Sequence, residues 1–390
     1  MFLKSINKVL IRVDFNVPIK NGNVLDITRI KAALPTIKYF LKHNLKIVLI
    51  SHLGRPVQRE ESLSLKIIQP LLTKVLKKEV VFLNEIVDND ERVNKLPRGT
   101  IILLENIRFY PEEGANDLRF AQKLASYGDI FVNDAFGVAH RSHASTVGIK
   151  KFFVNKAYKG LLLNQELREL EKIKNNPELP FTVIVGGGKI GSKIHMLKSF
   201  LNIADNILIG GGMAFPFIMQ MGGEIGKSLC IKEELGVVDE FLTEIEKSKT
   251  RLILPKDCIT TNKLSDDGEK SLMDIKKIKD GQIGVDIGPE TIELFKKTIL
   301  QSNSIVWNGP MGVSEIEQFS VGTKQIAKTI LEKTRLGAYS LIGGGDTISD
   351  IVRFGFKNQF SYVSTGGGAM LDFFKNHPFS AVKNLKNISE

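Results

Sequence analysis

The sequence predicts an α/β fold: parallel sheets with helices between their strands, arranged as two domains joined by a linker helix. Three observations carry this. Short apolar runs alternate with helix-length segments along the whole chain, the pattern of repeated βαβ units. Four apolar runs in the second half end in triple glycines: TVIVGGG (182–188), NILIGGG (206–212), YSLIGGG (339–345) and SYVSTGGG (361–368). Between the halves, Leu163, Leu167 and Leu170 form the i, i+4, i+7 stripe of a helix, which Pro177 and Pro180 stop.

Taken in order, the first-half strands are VLIRV (9–13), KIVLI (46–50), EVVFL (79–83), TIILL (100–104) and DIFVN (129–133). Segments 27–43 and 62–77 between them have helical periodicity or helix-length spacing. The second half adds LILP (252–255) and SIVW (304–307) to the four glycine-ended strands. The expected domains are 1–160 and 179–370, with the linker helix in 161–178. The last stretch, 371–390, shows no obvious strand, and pattern does not place it.

At 390 residues the chain exceeds one ordinary core, which favours two or three domains. Its 43% hydrophobic and 25% charged residues are those of a soluble globular protein. Its apolar runs fall far short of the ~20 residues of a membrane span, so no membrane partner is expected. The N-terminus lacks the pattern of a signal peptide. Cys230 and Cys258 match no metal-ligand spacing and suit a reducing cytoplasm. The net charge of +11 comes with scattered Lys-Lys pairs, at 77–78, 150–151, 276–277 and 296–297, and with no nucleic-acid motif. No nucleic-acid partner is expected.

Glycine lets a backbone approach a phosphate or a base, and the helix N-terminus behind it favours negative charge. The second half therefore reads as built for a nucleotide. GGGKIGSK (186–193) contains G-x-G-x-x-G, but Asp205, the only acid at the right distance, precedes its strand and would lie at the wrong end for a ribose. A nicotinamide dehydrogenase is thus disfavoured. It is not a P-loop either, because Ser192 stands where lysine would follow Gly191. Lys189 and Lys193 remain, four apart, expected on the first turn of a helix and facing phosphates. In GGGDT (343–347), Asp346 either caps a helix or holds Mg²⁺ on a nucleotide. In WNGPMGVSE (307–315), Asn308 opens a tight turn, and Glu315 either accepts from a ribose hydroxyl or serves a helix N-terminus.

The first half places polar groups just past its strands. RVDFNVP (12–18) sets Asp14 and Asn16 on one face. His52 and Arg55 follow KIVLI, Arg108 follows TIILL, and Arg141 lies beyond DIFVN. Arg29 is expected at a helix start. Ligands bind outside strand carboxyl ends in open α/β sheets, and arginine offers paired donors to carboxylate and phosphate. A small phosphorylated acid fits this half. His140 and His143 are three apart, but no third metal ligand is evident. A non-catalytic basic binding protein remains the alternative class.

These motifs, in this order and across essentially the whole chain, resemble the phosphoglycerate kinase family: RVDFNVP, TRIKAALPTI, SHLGRP, ENIRF, DAFGVAHRSHAS, GGGKIGSK, GGGMAF, DIGPET, WNGPMGVSE, GGGDT and STGGGA. The resemblance implies two Rossmann-like three-layer domains joined by a hinge helix, with 371–390 returning to the first domain. It implies reversible phosphoryl transfer between 1,3-bisphosphoglycerate and ADP, giving 3-phosphoglycerate and ATP, with domain closure, by a cytoplasmic monomer. Asp14, Asn16, Arg29, His52, Arg55, Arg108 and Arg141 would bind the phosphoglycerate. Lys189, Lys193, Gly211, Gly212, Asn308, Glu315, Gly344, Gly345, Asp346, Thr347, Gly366, Gly367 and Gly368 would bind the nucleotide. Asp346 would serve Mg²⁺, and Arg29, Lys189 and Gly367 the transferring phosphoryl. Three places depart from the family pattern: Ser192 beside the phosphate lysines, Ser314 where phenylalanine is usual, and MLDFFKNH after STGGGA.

Overall fold

The computed structural model describes residues 5–191, 193–375 and 379–388. The chain divides into two compact units, Met1–Arg168 with Pro378–Glu390, and Glu169–His377. The first division falls inside the helix Leu161–Asn175. That helix buries Leu163, Leu167 and Leu170, and also Ile173 one turn on.

The first unit is built on a seven-stranded sheet in the order Lys386–Asn387, Ala157–Lys159, Ile130–Asn133, Lys8–Arg12, Lys46–Ile50, Ile101–Leu104, Val80–Leu83. Every pairing in it is parallel. Side chains alternate between its faces, so each strand feeds two cores. Val9, Ile11, Ile47, Leu49, Ile101 and Leu103 enter one, and Leu10, Val48, Ile50, Ile102 and Leu104 the other. The helix Thr28–Lys42 contributes Ile30, Ala33, Ile37 and Phe40 to the first core.

The expected first-half strands are all present, each within a residue of its predicted bounds. Two more, Ala157–Lys159 and Lys386–Asn387, are too short to show alternation. They pair with each other, so the C-terminal stretch forms the sheet edge. Segment 62–77 is helical only in part: two 3₁₀ turns, Glu61–Leu63 and Leu65–Ile68, precede the helix Gln69–Leu76. Pro70 sits in the first turn of that helix, where its missing N–H costs nothing.

The second unit has a six-stranded parallel sheet in the order Arg251–Ile253, Asn206–Ile209, Phe181–Val185, Ser304–Asn308, Tyr339–Gly343, Tyr362–Val363. It also carries an antiparallel sheet, Ser271–Asp274, Asp257–Thr261 and Ile283–Ile287, which the strand pattern did not predict. Its outer strand is mostly exposed and its middle strand buries two threonines, so neither reads as an apolar run.

Both parallel sheets have a point where strand order reverses, and there the loops leave in opposite directions and open a crevice. In the first it lies between Lys8–Arg12 and Ile130–Asn133, in the second between Phe181–Val185 and Ser304–Asn308.

Candidate active site

In the first unit, the segment after Lys8–Arg12 carries Asp14 and Asn16. Arg29, second residue of its helix, donates through Nη1 to both Asp14 carboxylate oxygens, at 3.2 and 3.0 Å, and to the Asn16 carbonyl at 3.1 Å. Its side chain stays 31% exposed, and only Nη1 of the guanidinium is bonded among the described residues. The Asn16 side-chain oxygen accepts from Gly54 N at 2.8 Å, and Arg108 Nη1 donates to the Gly54 carbonyl. Arg55, Arg108, Arg141 and His143 line a cavity of about 300 Å³. Burial, then Arg12 and Arg141, bring the Arg108 guanidinium down to about 10, so it stays charged at neutral pH.

Beneath this surface lies a buried polar chain. Arg12 is 0% exposed. Its Nε donates to Ser145 Oγ at 2.9 Å, and its Nη2 lies 3.2 Å from His52 Nδ1. Ser145 Oγ donates to Glu113 Oε1 at 2.6 Å, and Ser145 N to Oε2 at 2.9 Å. Burial alone would raise the Glu113 carboxyl, but His143, Arg12 and Ser145 together hold it below its ordinary range. Burial, then Arg12, Arg108, Arg29 and His143, press the His52 imidazole far below its usual value. His52 is therefore neutral, its Nδ1 accepts from Arg12, and the proton sits on Nε2, which has no partner among the described residues.

In the second unit, backbone forms the site. Register sets Asn308 beside Val185, so the loops behind them touch. Gly186 N donates to the Asn308 carbonyl at 3.0 Å and Gly187 N to the Pro310 carbonyl at 2.8 Å. A Cβ on Gly186 would lie 2.1 Å from Pro310 O, and one on Gly309 2.2 Å from Gly186 O. Only glycine lets these strands end so close together. Two cavities open here. One of about 320 Å³ is floored by Gly187, Gly188, Gly211 and Gly212, walled by side chains such as Phe215, Leu229 and Val313, and reached by Glu315. The other, of about 180 Å³, is lined by Lys193, Asn308, Gly344, Gly345, Thr347, Gly367 and Gly368. Asp346 lines both.

Asp346 lies in the first turn of the helix Gly345–Arg353. Thr347 Oγ1 accepts from Gly309 N at 2.7 Å. Asn308 is 2% exposed, and its Nδ2 is buried without a partner among the described residues. Gly367 precedes the helix Gly368–Phe374 as its cap, while Gly366 is buried one residue earlier and lines neither cavity.

One expectation needs correction. Lys189 and Lys193 do not share a helical turn. Gly186–Gly188 and Gly191 keep the chain in a loop, a tight turn on Ile190 closes it, and the helix begins only at Ile194. Lys189 is exposed in that loop. Lys193 folds back, and its Nζ donates to the Gly186 carbonyl at 2.6 Å. Burial lowers the Lys193 amine to about 8, against the pull of Asp346. Ser192 lies outside the described residues. Sequence reading missed Arg12, Glu113 and Ser145. A lone arginine inside VLIRV was the available signal, since a buried strand cation needs a partner. The apolar walls of the nucleoside-sized cavity carried no signal, because they come from loops far apart in sequence.

The family model described as phosphoglycerate kinase matches residues 4–377. A phosphoglycerate kinase of Dictyoglomus turgidum is 44% identical over 382 residues, 97% of this chain and 96% of that protein. The cytosolic phosphoglycerate kinase 3 of Arabidopsis thaliana is 41% identical over 97% of this chain and 94% of its own length. Among solved structures, the phosphoglycerate kinase of Coxiella burnetii superposes with a TM-score of 0.84 at 38% identity, covering 96% of this chain and 95% of that one. That of Pyrococcus horikoshii OT3 gives the same TM-score at 29% identity, covering 97% and 95%.

Proposed function

The chain belongs to the phosphoglycerate kinase family and catalyses reversible phosphoryl transfer between 1,3-bisphosphoglycerate and ADP; from that premise we propose which residues carry each part of the reaction. The observation that supports the assignment best is an arginine-lined anion cavity past the strand ends of one sheet, together with glycine-floored cavities at the reversal point of the other.

Phosphoglycerate binds to the first unit. Arg55, Arg108 and Arg141 take its phosphate by paired donors. Asp14, Asn16 and the Nε2–H of His52 orient its hydroxyl and carboxylate, and Arg29 reaches the carboxyl end with its unused donors. The nucleoside takes the apolar cavity, with Gly211 and Gly212 against the base and Glu315 on the ribose. Its phosphates take the smaller cavity, with Lys193, Thr347, Gly344, Gly345, Gly367 and Gly368, and Gly366 behind them. The buried, unpartnered Asn308 Nδ2 fits a ligand acceptor there. Among the described residues no three His, Cys, Asp or Glu side chains converge on one point. A cation would therefore need ligand oxygens beside Asp346, which suits Mg²⁺ on a nucleotide. Bound there, it would neutralise phosphate charge.

In the transfer, the bond from phosphorus to the acyl oxygen breaks while one to the β-phosphate oxygen of ADP forms. No protein nucleophile is required, only positioning and positive potential. Arg29, Lys189 and the N–H groups at Gly367 supply that potential where charge spreads in the transition state. Donor and acceptor bind different units, so the reaction needs them brought together with water kept out. Among the described residues no helix is long and apolar enough to cross a membrane. A cytoplasmic location draws support from relatives named cytosolic in Arabidopsis thaliana and Nicotiana tabacum. The monomeric state rests on the family resemblance.

The test is to supply ATP, Mg²⁺ and 3-phosphoglycerate and follow ADP while the acyl phosphate is removed. Turnover should need both Mg²⁺ and phosphoglycerate. Folded protein that binds ATP yet turns nothing over would sink the assignment. Arg55→Ala should raise the KM for phosphoglycerate about tenfold with little change in kcat, the loss of one charge-assisted contact. An unchanged KM would remove Arg55 from the anion site.

A further inference from the structure

Glu315 is exposed at the rim of the larger nucleotide cavity, so burial does not hold it. The residue before it is held. Ser314 is 2% exposed, and its carbonyl accepts a hydrogen bond from Arg353 Nη2. The same Nη2 donates to Asp350 Oδ1 at 2.7 Å. Asp350 is 4% exposed, and the Arg353 guanidinium lies over the Phe354 ring, 5.0 Å from its centre.

Asp346, Asp350 and Arg353 sit at i, i+4 and i+7 of one helix, hence on one face. The helix that carries the acid on the phosphate side thus also grips the loop that carries the acid on the nucleoside side. A buried carboxylate is tolerated when paired, and this pair is directed at Ser314. Burial raises the Asp350 carboxyl, while the Ser314 hydroxyl and Arg353 oppose the rise.

We propose that Asp350 and Arg353 are positioning residues for the nucleotide: they clamp the Ser314 carbonyl and so hold Glu315 at the nucleoside cavity. The proposal rests on the reading of that cavity as the nucleotide site.

The experiment compares Arg353→Ala, Arg353→Lys, Asp350→Asn, Ser314→Ala, Glu315→Gln and the Arg353→Ala/Glu315→Gln double variant in the full chain. It measures KM for ATP and for phosphoglycerate, kcat, and ATP affinity by calorimetry. Arg353→Ala should raise the ATP KM about tenfold and leave kcat and the phosphoglycerate KM within about twofold. Asp350→Asn should raise it less, and Arg353→Lys should restore part, because lysine keeps the charge but lacks the fixed planar geometry that aims the guanidinium. Ser314→Ala keeps the clamped carbonyl but loses the hydroxyl facing Asp350, so its ATP KM should rise less than that of Arg353→Ala. The double variant should be no worse than Glu315→Gln alone, since Arg353 acts through Glu315. Additive effects, or an unchanged ATP KM in Arg353→Ala while Glu315→Gln raises it, would overturn the clamp. An unchanged ATP KM in Glu315→Gln would instead overturn the nucleotide reading of the cavity.

Discussion

Each unit carries its candidate site past the carboxyl ends of parallel strands, but the two candidate sites are made of different material. In the first unit the groups are side chains, backed by a buried polar chain from His52 through Arg12 and Ser145 to Glu113. In the second the floor is backbone beneath apolar side-chain walls, and glycines at 186, 187, 211, 309 and 344 set how closely the loops approach. The first site is therefore sensitive to what is removed, and the second to what is added. An arginine can be trimmed there with a graded loss, whereas one methyl group here meets a carbonyl oxygen.

The sharpest way to break this contrast is Gly309→Ala. Its φ of +102° is left-handed, and the new Cβ would lie 2.2 Å from the Gly186 carbonyl. Strain and overlap together should cost about 3 kcal/mol or more and abolish measurable nucleotide binding. Phosphoglycerate binding, followed by calorimetry, should survive. Retained nucleotide affinity would show that the glycine floor is not what shapes the cavity.

Next in size is Arg12→Leu, which removes the buried cation joined to the Glu113 carboxylate through Ser145 and should cost about 1–3 kcal/mol. Glu113 titrates below its ordinary value of 4.5, so it contributes stability above that pH and loses it as pH falls through the folded value. The difference between wild type and variant should therefore shrink on acidification below 4.5. Thermal unfolding across that range reads it directly, and a gap independent of pH would dissociate Arg12 from Glu113.

Lys189→Ala tests the one side chain of the second site assigned to the moving group. We expect kcat to fall about 10²-fold with a much smaller change in nucleotide KM. Turnover near wild type would leave that site wholly to backbone and metal. The smallest effect is on Lys193, whose free amine titrates near 8. Bound phosphates favour the charged form, so nucleotide binding should take up a proton above pH 8, and affinity should fall there by at most about tenfold per pH unit. Calorimetry in buffers of different ionisation enthalpy measures the uptake; none at pH 8.5 would place Lys193 away from the phosphates.

Much of this was legible because it is local. KIVLI and SIVW are strands by composition, Leu163, Leu167 and Leu170 mark a helix by spacing, and a triple glycine after a strand announces a close approach of backbone. The misplaced Lys189 and Lys193 show where local reading fails. Spacing of four suggested one helical face, but the glycines around them keep the chain in a loop, and Lys193 satisfies Gly186 instead. The antiparallel sheet was hidden because its strands do not alternate cleanly, and Lys386–Asn387 because two residues carry no pattern.

By itself, then, the sequence determined the parallel α/β architecture, the family, and the residue types gathered at strand ends, since each follows from periodicity or from motifs a few residues long. Only the tertiary structure decided how Arg12 meets Ser145 and Glu113, how Arg353 reaches Ser314, and that Asp346 faces two cavities at once. Those contacts join residues distant along the chain or on separate elements. They are fixed by strand order and register, which no short stretch of sequence encodes.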